Sequence, residues 1–407
     1  MIRPSKASRE IDPLLGYPHK SYPIVHVTGT NGKGSVSNMI ASILIEAGYK
    51  VGTFNTPGIV GELDITKVNG VPISALRHYE LKRKIKKVEE DNNVKDLLLS
   101  TRRAELSFLY FKESNVDIAV IETDLGAEND STCVVTPIVS LITNITEDHL
   151  NLFNHDILEY AKEKAGIIKP NTPVYMAESP INRDIKNILQ QKADSCNTKL
   201  IFTDQDNLIL DCLGDGCYNT KFGKCVLSLK GDYQKSNLNL VLHSIIELRK
   251  QGYKISDRDV IEGLNNIYKN TKFCGRWCFI HEKPRVILDC GHNLDAWEKV
   301  VDQINSMRYN KLHIVIQICK DKNVDAITKI LPDNDKITYW FPTPEFKRLI
   351  APEKLMEKTE WMKKSNRNQG IGLERVIMDL VRGSNEDDVV LICGTCKILN
   401  MINNLKL

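Results

Sequence analysis

Residues 23–36 read PIVHVTGTNGKGSV, an apolar, strand-like run that breaks into a glycine-rich loop and resumes as a helix with one apolar face. Glycines in such a loop let successive backbone N–H groups point at phosphate oxygens, and the helix N-terminus adds partial positive charge. Lys33 adds a full charge. The stretch therefore predicts a phosphate-binding loop made of Gly29, Thr30, Asn31, Gly32, Lys33, Gly34 and Ser35.

The spacing of this loop differs from the commonest Walker A pattern. Gly29 lies four residues before Lys33, and Gly34 separates Lys33 from Ser35. An ordinary glycine-rich turn between a strand and a helix is the alternative interpretation. The order of strand, loop and helix favours phosphate binding.

Composition sets the outer limits on fold and function. The chain has 407 residues, of which 42% are hydrophobic, so it can bury more than one core and we expect two domains. Its net charge of +3 is too small to indicate binding to nucleic acid or to a membrane. The start of the chain lacks an apolar signal segment, and no stretch reaches membrane-spanning length, so we expect a cytoplasmic protein.

Eleven cysteines at irregular spacings indicate reduced thiols rather than a disulfide framework. Cys393 and Cys396 have the spacing of a redox or zinc pair. Because no second pair stands at zinc-ribbon spacing, a turn from a strand into a helix is the favoured interpretation.

The pattern of apolar runs predicts an α/β protein. Buried strands are expected at 50–54, 117–122 and 138–144, forming with the first strand a doubly wound, mostly parallel sheet. Helices are expected over 74–91, 100–111, 155–168, 235–251 and 256–268. Short strands and turns between 199 and 229 indicate a small β subdomain. Strands at 285–289, 311–317, 336–340 and 389–393 predict a smaller, Rossmann-like C-terminal domain, with the boundary placed between domains 1–274 and 275–407.

Polar residues follow several of these strands directly. Glu122 and Asp130 follow one central strand, Asp148 and His149 follow another, and Thr56 follows a third. Ligands in open α/β sheets bind at the carboxyl ends of the strands. We therefore expect these side chains to share one sheet edge with the phosphate-binding loop.

Several motifs together resemble folylpolyglutamate synthase and dihydrofolate synthase, members of the Mur ligase superfamily of ATP-dependent amide ligases. They occur in the family's order and span nearly the whole chain: residues 26–35, 135–144, 148–149, 163–169 (EKAGIIK), 231–237 (GDYQKSN), 275–276 and 289–293 (DCGHN). The resemblance implies that the γ-phosphoryl of ATP is transferred to a carboxylate and that the amine of L-glutamate attacks the resulting acyl phosphate.

The resemblance also implies site residues. Mg²⁺, as two ions, would be held by Thr56, Glu122, His149 and, if carbamylated, Lys164, and a monovalent cation would accompany them. The nucleotide would be bound by the loop together with Gln234, Asn237, Arg276, Asp289 and Asn293, and catalytic roles would fall to Lys33, Lys164 and His292. ATP, glutamate and a folate-type acceptor are the implied partners, and a monomer is expected.

The sequence departs from the family on the side of the acceptor. Ala127 and Glu128 replace a glycine and an arginine, and Arg102 and Ala104 stand where the family has the threonine and phenylalanine of a Thr-x-Phe-Glu signature. Candidates for the acceptor side are Thr101, Arg102 and Asp130. A related ligase with a non-folate acceptor and a nucleotide-binding homologue without ligase activity are the alternatives to a folate ligase.

Overall fold

The computed structural model describes residues 4–58, 61–95, 97–148, 150–363, 367–395 and 398–399. Its helices are α1 Pro4–Leu14, α2 Lys33–Glu46, α3 Ala75–Asp91, α4 Leu99–Glu113, α5 Ile157–Ala165, α6 Arg183–Ser195, α7 Gln234–Lys250, α8 Asp257–Asn265, α9 Ile267–Thr271, α10 Leu294–Ser306, α11 Val324–Ile330, α12 Pro352–Lys358 and α13 Leu373–Gly383. Its strands are β1 Ile24–Thr28, β2 Val51–Phe54, β3 Thr66–Val68, β4 Val71–Pro72, β5 Ile118–Glu122, β6 Val139–Ile142, β7 Val174–Met176, β8 Leu200–Phe202, β9 Ile209–Gly214, β10 Cys217–Thr220, β11 Gly223–Val226, β12 Cys278–Glu282, β13 Arg285–Asp289, β14 Leu312–Ile316, β15 Ile337–Thr343, β16 Arg367–Gly372 and β17 Val389–Cys393.

The chain divides into two compact units. The first comprises Met1–Thr146, Leu150–Ser228 and Tyr233–Phe273, and the second comprises Glu147–His149, Leu229–Asp232 and Cys274–Leu407. Two short segments that precede Cys274 in the sequence, Glu147–His149 and Leu229–Asp232, thus belong to the second unit. The sequence pattern did not predict their assignment.

The first unit is built on a sheet with the strand order β4-β3-β2-β5-β1-β6-β7-β8. The strands from β2 to β8 in this order are parallel, and β3 and β4 form an antiparallel extension. Every residue of β1, β5 and β6 is buried, as expected for strands covered by helices on both faces. The doubly wound, mostly parallel sheet expected from the apolar runs is confirmed.

Helix α2 leaves the phosphate-loop stretch and packs closely on α8. The Ser42 hydroxyl donates to the carbonyl oxygen of Gly263 at 2.6 Å. A Cβ atom on Gly263 would lie 2.5 Å from Cα of Ile43, which is backbone and cannot rotate away. Glycine at 263 is therefore required by the close approach of the two helices.

We expect Gly263→Ala to destabilise the first unit by about 2–3 kcal/mol, because the added methyl group forces α2 and α8 apart. The measurement is the free energy of unfolding in chemical denaturant. Gly383→Ala is the matched control, since Gly383 ends α13 and an added Cβ would meet nothing within 4 Å. Equal stability of Gly263→Ala and the wild type would contradict the close packing of α2 on α8.

The predicted small β subdomain is present as an antiparallel sheet with the order β11-β10-β9. The prediction of a single helix over 256–268 is wrong in one respect. The structure has two helices there, α8 and α9, which are separated at Asn266. Asn266 has φ −108° and ψ 20°, and the next backbone N–H, that of Ile267, donates to the Ser228 hydroxyl at 3.1 Å. A tertiary hydrogen bond thus interrupts the local helical preference.

The second unit contains a sheet with the order β12-β13-β17-β14-β15-β16. Its strands are parallel except for β12, which pairs with β13 in antiparallel orientation. Strands β13 and β17 have the predicted bounds, whereas β12 was not anticipated because its side chains are only partly buried. In the described part of the chain, no helix is long and apolar enough to cross a membrane.

Candidate active site

The glycine-rich loop between β1 and α2 has a backbone shape that larger residues cannot adopt. Gly29 has φ +148° and Gly32 has φ +88°. A Cβ atom on Gly32 would lie 2.3 Å from Oδ1 of Asn237, and one on Gly29 would lie 3.1 Å from the backbone nitrogen of Asn144. Both glycines are therefore needed for conformation and for space.

Asn144, which follows β6, holds the loop in this shape. Its Oδ1 accepts the backbone N–H groups of Thr30 at 3.1 Å and Asn31 at 2.9 Å. Its neighbour Thr143 donates its hydroxyl to the carbonyl oxygen of Asn31. The sequence motif included Asn144 but gave it no role. Its position directly after β6, the strand that neighbours β1, could have indicated a role in holding the loop.

Lys33 lies at the first position of α2 with its amine turned back over the loop. Nζ donates to the carbonyl oxygens of Gly29 at 3.1 Å and Thr30 at 3.2 Å. The first backbone N–H groups of a helix have no acceptor within that helix. The loop thus combines these N–H groups with a lysine charge, which suits the phosphates of a nucleotide.

Glu122 ends β5 beside the start of α2, and its side chain is almost fully buried. Its Oε2 accepts Nδ2 of Asn55 at 2.9 Å, and Oδ1 of Asn55 accepts Nδ2 of Asn38 at 3.2 Å. A Cβ atom on Gly34 would lie 3.7 Å from Oε2 of Glu122, so the carboxylate lies next to the phosphate loop. The sequence pattern predicted no role for either asparagine. Asn38 could have been noticed as an amide side chain in the helix that follows the loop.

Of the other expected metal ligands, Thr56 lies within the described residues and His149 does not. Thr56 follows β2, which pairs in parallel with β5, so Thr56 and Glu122 share one sheet edge. His149 lies outside the described residues. Among the described residues, no group of three or more histidines, cysteines, aspartates and glutamates could hold a metal ion. The carboxylate of Glu122 and the hydroxyl of Thr56 are oxygen donors, which fit a hard divalent cation.

Lys164 is fully buried on α5 and contacts the same loop. Its Nζ donates to the carbonyl oxygens of Gly29 at 2.8 Å and Leu125 at 3.2 Å, and it lies 4.4 Å from the ring centroid of Tyr160. A carbamylated amine keeps one N–H, so only one of these two hydrogen bonds could persist. Carbamylation of Lys164 stays a prediction.

Gln234 and Asn237 lie in the first turn of α7, and both reach the loop. Nε2 of Gln234 donates to the hydroxyl of Ser35 at 3.2 Å. Its Oε1 accepts Nδ2 of Asn237 at 2.9 Å. These two residues, predicted to contact the nucleotide, are therefore placed against the phosphate-loop residues.

In the second unit, Asp289 organises the expected nucleotide-contacting segment. Its Oδ2 accepts the backbone N–H of Trp277 at 2.9 Å, and its Oδ1 accepts that of Gly291 at 2.7 Å. Arg276 donates from Nη1 to the carbonyl oxygen of Gly275 at 2.8 Å. Asp289 therefore holds together the two backbone turns that carry Arg276 and His292.

A buried ion pair of the second unit involves Asp148, the residue before His149. Nζ of Lys322 lies 2.5 Å from Oδ1 of Asp148, and each side chain is 6% exposed. Asn293 donates from Nδ2 to Oδ2 of Asp148 at 3.0 Å, and Nε2 of His292 lies 3.5 Å from that oxygen. Asn293 and His292 are thus brought together. The sequence pattern predicted no role for Lys322, which follows β14 in an Asp-Lys-Asn run.

Each of the three residues expected on the acceptor side has partners within the protein. Thr101 is fully buried in α4, where its hydroxyl lies 3.5 Å from the carbonyl oxygen of Pro4. Arg102 forms a two-pronged ion pair with Glu89 at 2.8 and 2.7 Å. It also lines a cavity of about 250 Å³, together with Lys82 and Arg103.

Asp130 is buried inside the loop after β5, and its role on the acceptor side stays a prediction. Its Oδ1 accepts the backbone N–H and the hydroxyl of Thr132 at 2.9 and 2.7 Å, and its Oδ2 accepts the N–H of Asp124 at 3.0 Å. Three internal donors occupy the carboxylate, so it stabilises the loop. Burial, together with the charge of Asp124, raises the pKa of Asp130 to about 6.

This raised pKa makes folding stability depend on pH. The folded state holds the Asp130 proton more tightly than the unfolded state, so the free energy of unfolding falls as pH rises from about 4 to about 6. The difference between the two pKa values corresponds to about 3 kcal/mol. We expect Asp130→Asn to remove this decrease.

The measurement is denaturant unfolding of both proteins across this pH range. The slope against pH is the readout, because asparagine also changes the hydrogen bond to Asp124 by a constant amount. If the free energy of unfolding changed with pH in the same way for both proteins, the raised pKa of Asp130 would not be the cause of the decrease.

Comparisons with known proteins cover nearly the whole chain. Residues 27–243 match the Mur ligase middle domain, and residues 275–396 match the Mur ligase glutamate ligase domain. A dihydrofolate synthase/folylpolyglutamate synthase of Bacillus subtilis (strain 168) is 32% identical over 407 residues, covering 95% of this chain and 91% of the relative.

Two solved structures have the same fold. Mycobacterium tuberculosis folylpolyglutamate synthase complexed with ADP superposes with a TM-score of 0.88 at 22% identity, covering 99% of this chain and 94% of that one. A bifunctional folylpolyglutamate synthase/dihydrofolate synthase with Mn, AMPPNP and L-glutamate bound gives 0.80 at 21% identity, covering 99% and 94%. From the match of its sequence over nearly its full length, the chain belongs to the folylpolyglutamate synthase/dihydrofolate synthase family of Mur ligases.

Proposed function

We propose that this protein is an ATP-dependent ligase that joins L-glutamate to a folate-type carboxylate through an acyl phosphate. The reaction is polyglutamylation of tetrahydrofolate, conversion of dihydropteroate to dihydrofolate, or both. The observation that carries the proposal is the assembly of Lys33, the N-terminus of α2 and the buried Glu122 around one loop. The membership of the chain in a ligase family supports it.

The residues of the loop account for phosphoryl transfer by position and charge. Backbone N–H groups at the start of α2 bind phosphate oxygens, and Lys33 neutralises the charge that develops on the transferred group. When bound, Mg²⁺ would supply further neutralisation, with Glu122 and Thr56 among its ligands. Gln234 and Asn237 keep the loop in its binding shape.

The remaining assignments extend the same proposal. Residues 1–274 form the ATP-binding domain and 275–407 the glutamate ligase domain. Arg276, Asp289 and Asn293 bind nucleotide, and His292 is a catalytic candidate. We also propose His149 and a carbamylated Lys164 as further metal ligands, two Mg²⁺ ions, a monovalent cation and a monomeric, cytoplasmic enzyme that takes only small-molecule substrates.

A second candidate function is a related ligase with a different acceptor. Glu105 stands at the position of the family's signature glutamate, and it is fully buried. Neither of its carboxylate oxygens has a hydrogen-bond partner among the described residues, and burial raises its pKa well above the usual range. Arg102, another candidate for the acceptor side, is already paired with Glu89.

The test is ADP release by the purified protein with Mg²⁺, ATP and glutamate, compared across dihydropteroate, tetrahydrofolate and no acceptor. Turnover that depends on one of the pterins and disappears in Lys33→Ala supports the folate ligase. Turnover without dependence on either pterin contradicts it and favours another acceptor. Nucleotide binding without turnover on a broad acceptor panel favours a homologue without ligase activity.

A further inference from the structure

A cavity of about 250 Å³ in the first unit is lined by one face of α3 and one face of α4, and the proposed phosphoryl transfer assigns it no role. Helix α3 contributes His78, Lys82 and Ile85, which are about one helical turn apart. Helix α4 contributes Arg102 and Leu106, which are also one turn apart. Both helices therefore present a polar and an apolar side chain to the same space.

The apolar part of the lining is the inner part. Ile65, Ile85 and Leu106 are almost fully buried. Lys82, by contrast, is exposed to solvent. The cavity thus has an apolar inner end and opens to solvent beside a positive charge.

The two arginines of the lining are held by carboxylates and keep donors to spare. Arg102 donates from Nε and Nη2 to Glu89 at 2.8 and 2.7 Å. Arg103 donates in the same way, from Nε and Nη2, to Glu62. A guanidinium group has five N–H donors. In the part of the chain that the structure describes, Nη1 of each arginine has no hydrogen-bond partner, so both can bind a further carboxylate.

Lys82 adds a charge that no described carboxylate pairs with. His78, one turn before it, has no hydrogen bond from either ring nitrogen to a described residue. Burial lowers the pKa of His78, so its ring is neutral at pH 7 and can donate one N–H. The two arginines and Lys82 face the carboxylates of Glu62 and Glu89, which leaves one net positive charge. The cavity therefore attracts an anion.

The cavity adjoins the proposed metal site. The carbonyl oxygen of Ile65, in its lining, accepts the backbone N–H of Asn55 at 3.0 Å. The side chain of Asn55 donates to Oε2 of Glu122 at 2.9 Å. Asn55 thus links the cavity lining to the carboxylate beside the phosphate loop. A ligand in the cavity is held close to the place of the proposed reaction.

The size and the lining of the cavity define the class of ligand. A cavity of about 150 Å³ can hold benzene, whereas pockets for drug-sized ligands have roughly 300–1,000 Å³. At about 250 Å³, this cavity suits a ligand between those sizes. Arginine binds carboxylates in a two-pronged geometry. The ligand is therefore a small carboxylate with an apolar body.

We propose that this cavity binds one γ-glutamyl unit of the acceptor's tail, with the α-carboxylate on Lys82 and Arg102 and the methylene groups against Leu106. The inference rests on the proposed function, because polyglutamylation of a folate produces such a tail. Each γ-linked unit carries one free α-carboxylate and two methylene groups, which match the charged and the apolar parts of the lining. Dihydropteroate has no glutamyl unit, so the cavity favours acceptors that already carry glutamate.

The experiment combines two measurements on the full chain. Calorimetry gives the affinity for free tri-γ-glutamate, and ADP release gives KM for tetrahydrofolate tri-γ-glutamate and for dihydropteroate. Lys82→Ala is expected to weaken binding of tri-γ-glutamate about tenfold and to raise the ratio of the two KM values by the same factor. Lys82→Arg keeps the charge and should behave like the wild type.

Lys86→Ala is the matched control, because it removes the same charge one turn further along α3. The Lys86 side chain is 72% exposed and pairs with Glu90. If Lys82→Ala equals the wild type in both measurements, the cavity is not a glutamyl site, even where the enzyme ligates glutamate to a folate. Turnover with neither pterin overturns the proposed function, and the affinity for tri-γ-glutamate then decides the cavity by itself.

Discussion

Lys33→Ala is expected to lower kcat for ATP-dependent ligation by about 10²–10³-fold. The amine of Lys33 is held 3.1 and 3.2 Å from two carbonyl oxygens of the phosphate loop, so its charge is placed before substrate arrives. A preorganised charge stabilises the transferring phosphoryl group without reorganisation during the reaction. Alanine removes the charge and leaves the backbone of α2 intact. The measurement is acceptor-dependent ADP release at saturating ATP.

The control for this variant is Lys162→Ala. Lys162 is also helical, but its side chain is 58% exposed and pairs with Glu159 on the surface. Loss of one surface ion pair has little effect on stability and should leave kcat unchanged. If Lys33→Ala and Lys162→Ala turn over equally fast, the loop does not perform the chemistry assigned to it.

Glu122→Gln is expected to weaken the apparent affinity for Mg²⁺ by roughly 100-fold, with a matching loss of turnover at low Mg²⁺. Glutamine has nearly the same shape and keeps an oxygen that can accept from Asn55, so the fold should persist. It lacks the negative charge that makes a buried carboxylate a good ligand for a hard cation. The measurement is ADP release as a function of Mg²⁺ concentration.

Glu128→Gln makes the same chemical change at a residue whose side chain is 46% exposed and forms a loose ion pair with Lys192. Its Mg²⁺ dependence should match that of the wild type. A Glu122→Gln protein with a wild-type Mg²⁺ profile would remove Glu122 from the proposed metal ligands.

Local sequence patterns were sufficient to predict those elements whose burial or capping is written directly in consecutive residues. Strands β1, β5 and β6 are buried along their whole length, so their continuous apolar runs predicted them. Helix α3 begins after Ser74, whose hydroxyl accepts the N–H of Arg77 as its position in the sequence suggested. Strand β12 was missed because a half-buried edge strand has no continuous apolar run.

Side-chain partners between distant segments could not be predicted in the same way. Asn38 and Asn55 are 17 residues apart, yet they form one chain of hydrogen bonds to Glu122. Asp130 looked like a substrate contact because it follows a central strand. The sequence did not predict that its carboxylate accepts hydrogen bonds from its own loop, because these partners depend on how that loop closes.

By itself, the sequence determined the α/β class, the phosphate loop from Gly29 to Ser35 and the family, since these depend on local glycine spacing, apolar periodicity and the order of motifs. Only the tertiary structure decided which polar groups meet. It placed Glu122 and Lys164 against the loop and paired Lys322 with Asp148 across 174 positions. The physical reason is that a buried polar atom needs a partner, and packing rather than sequence proximity supplies it.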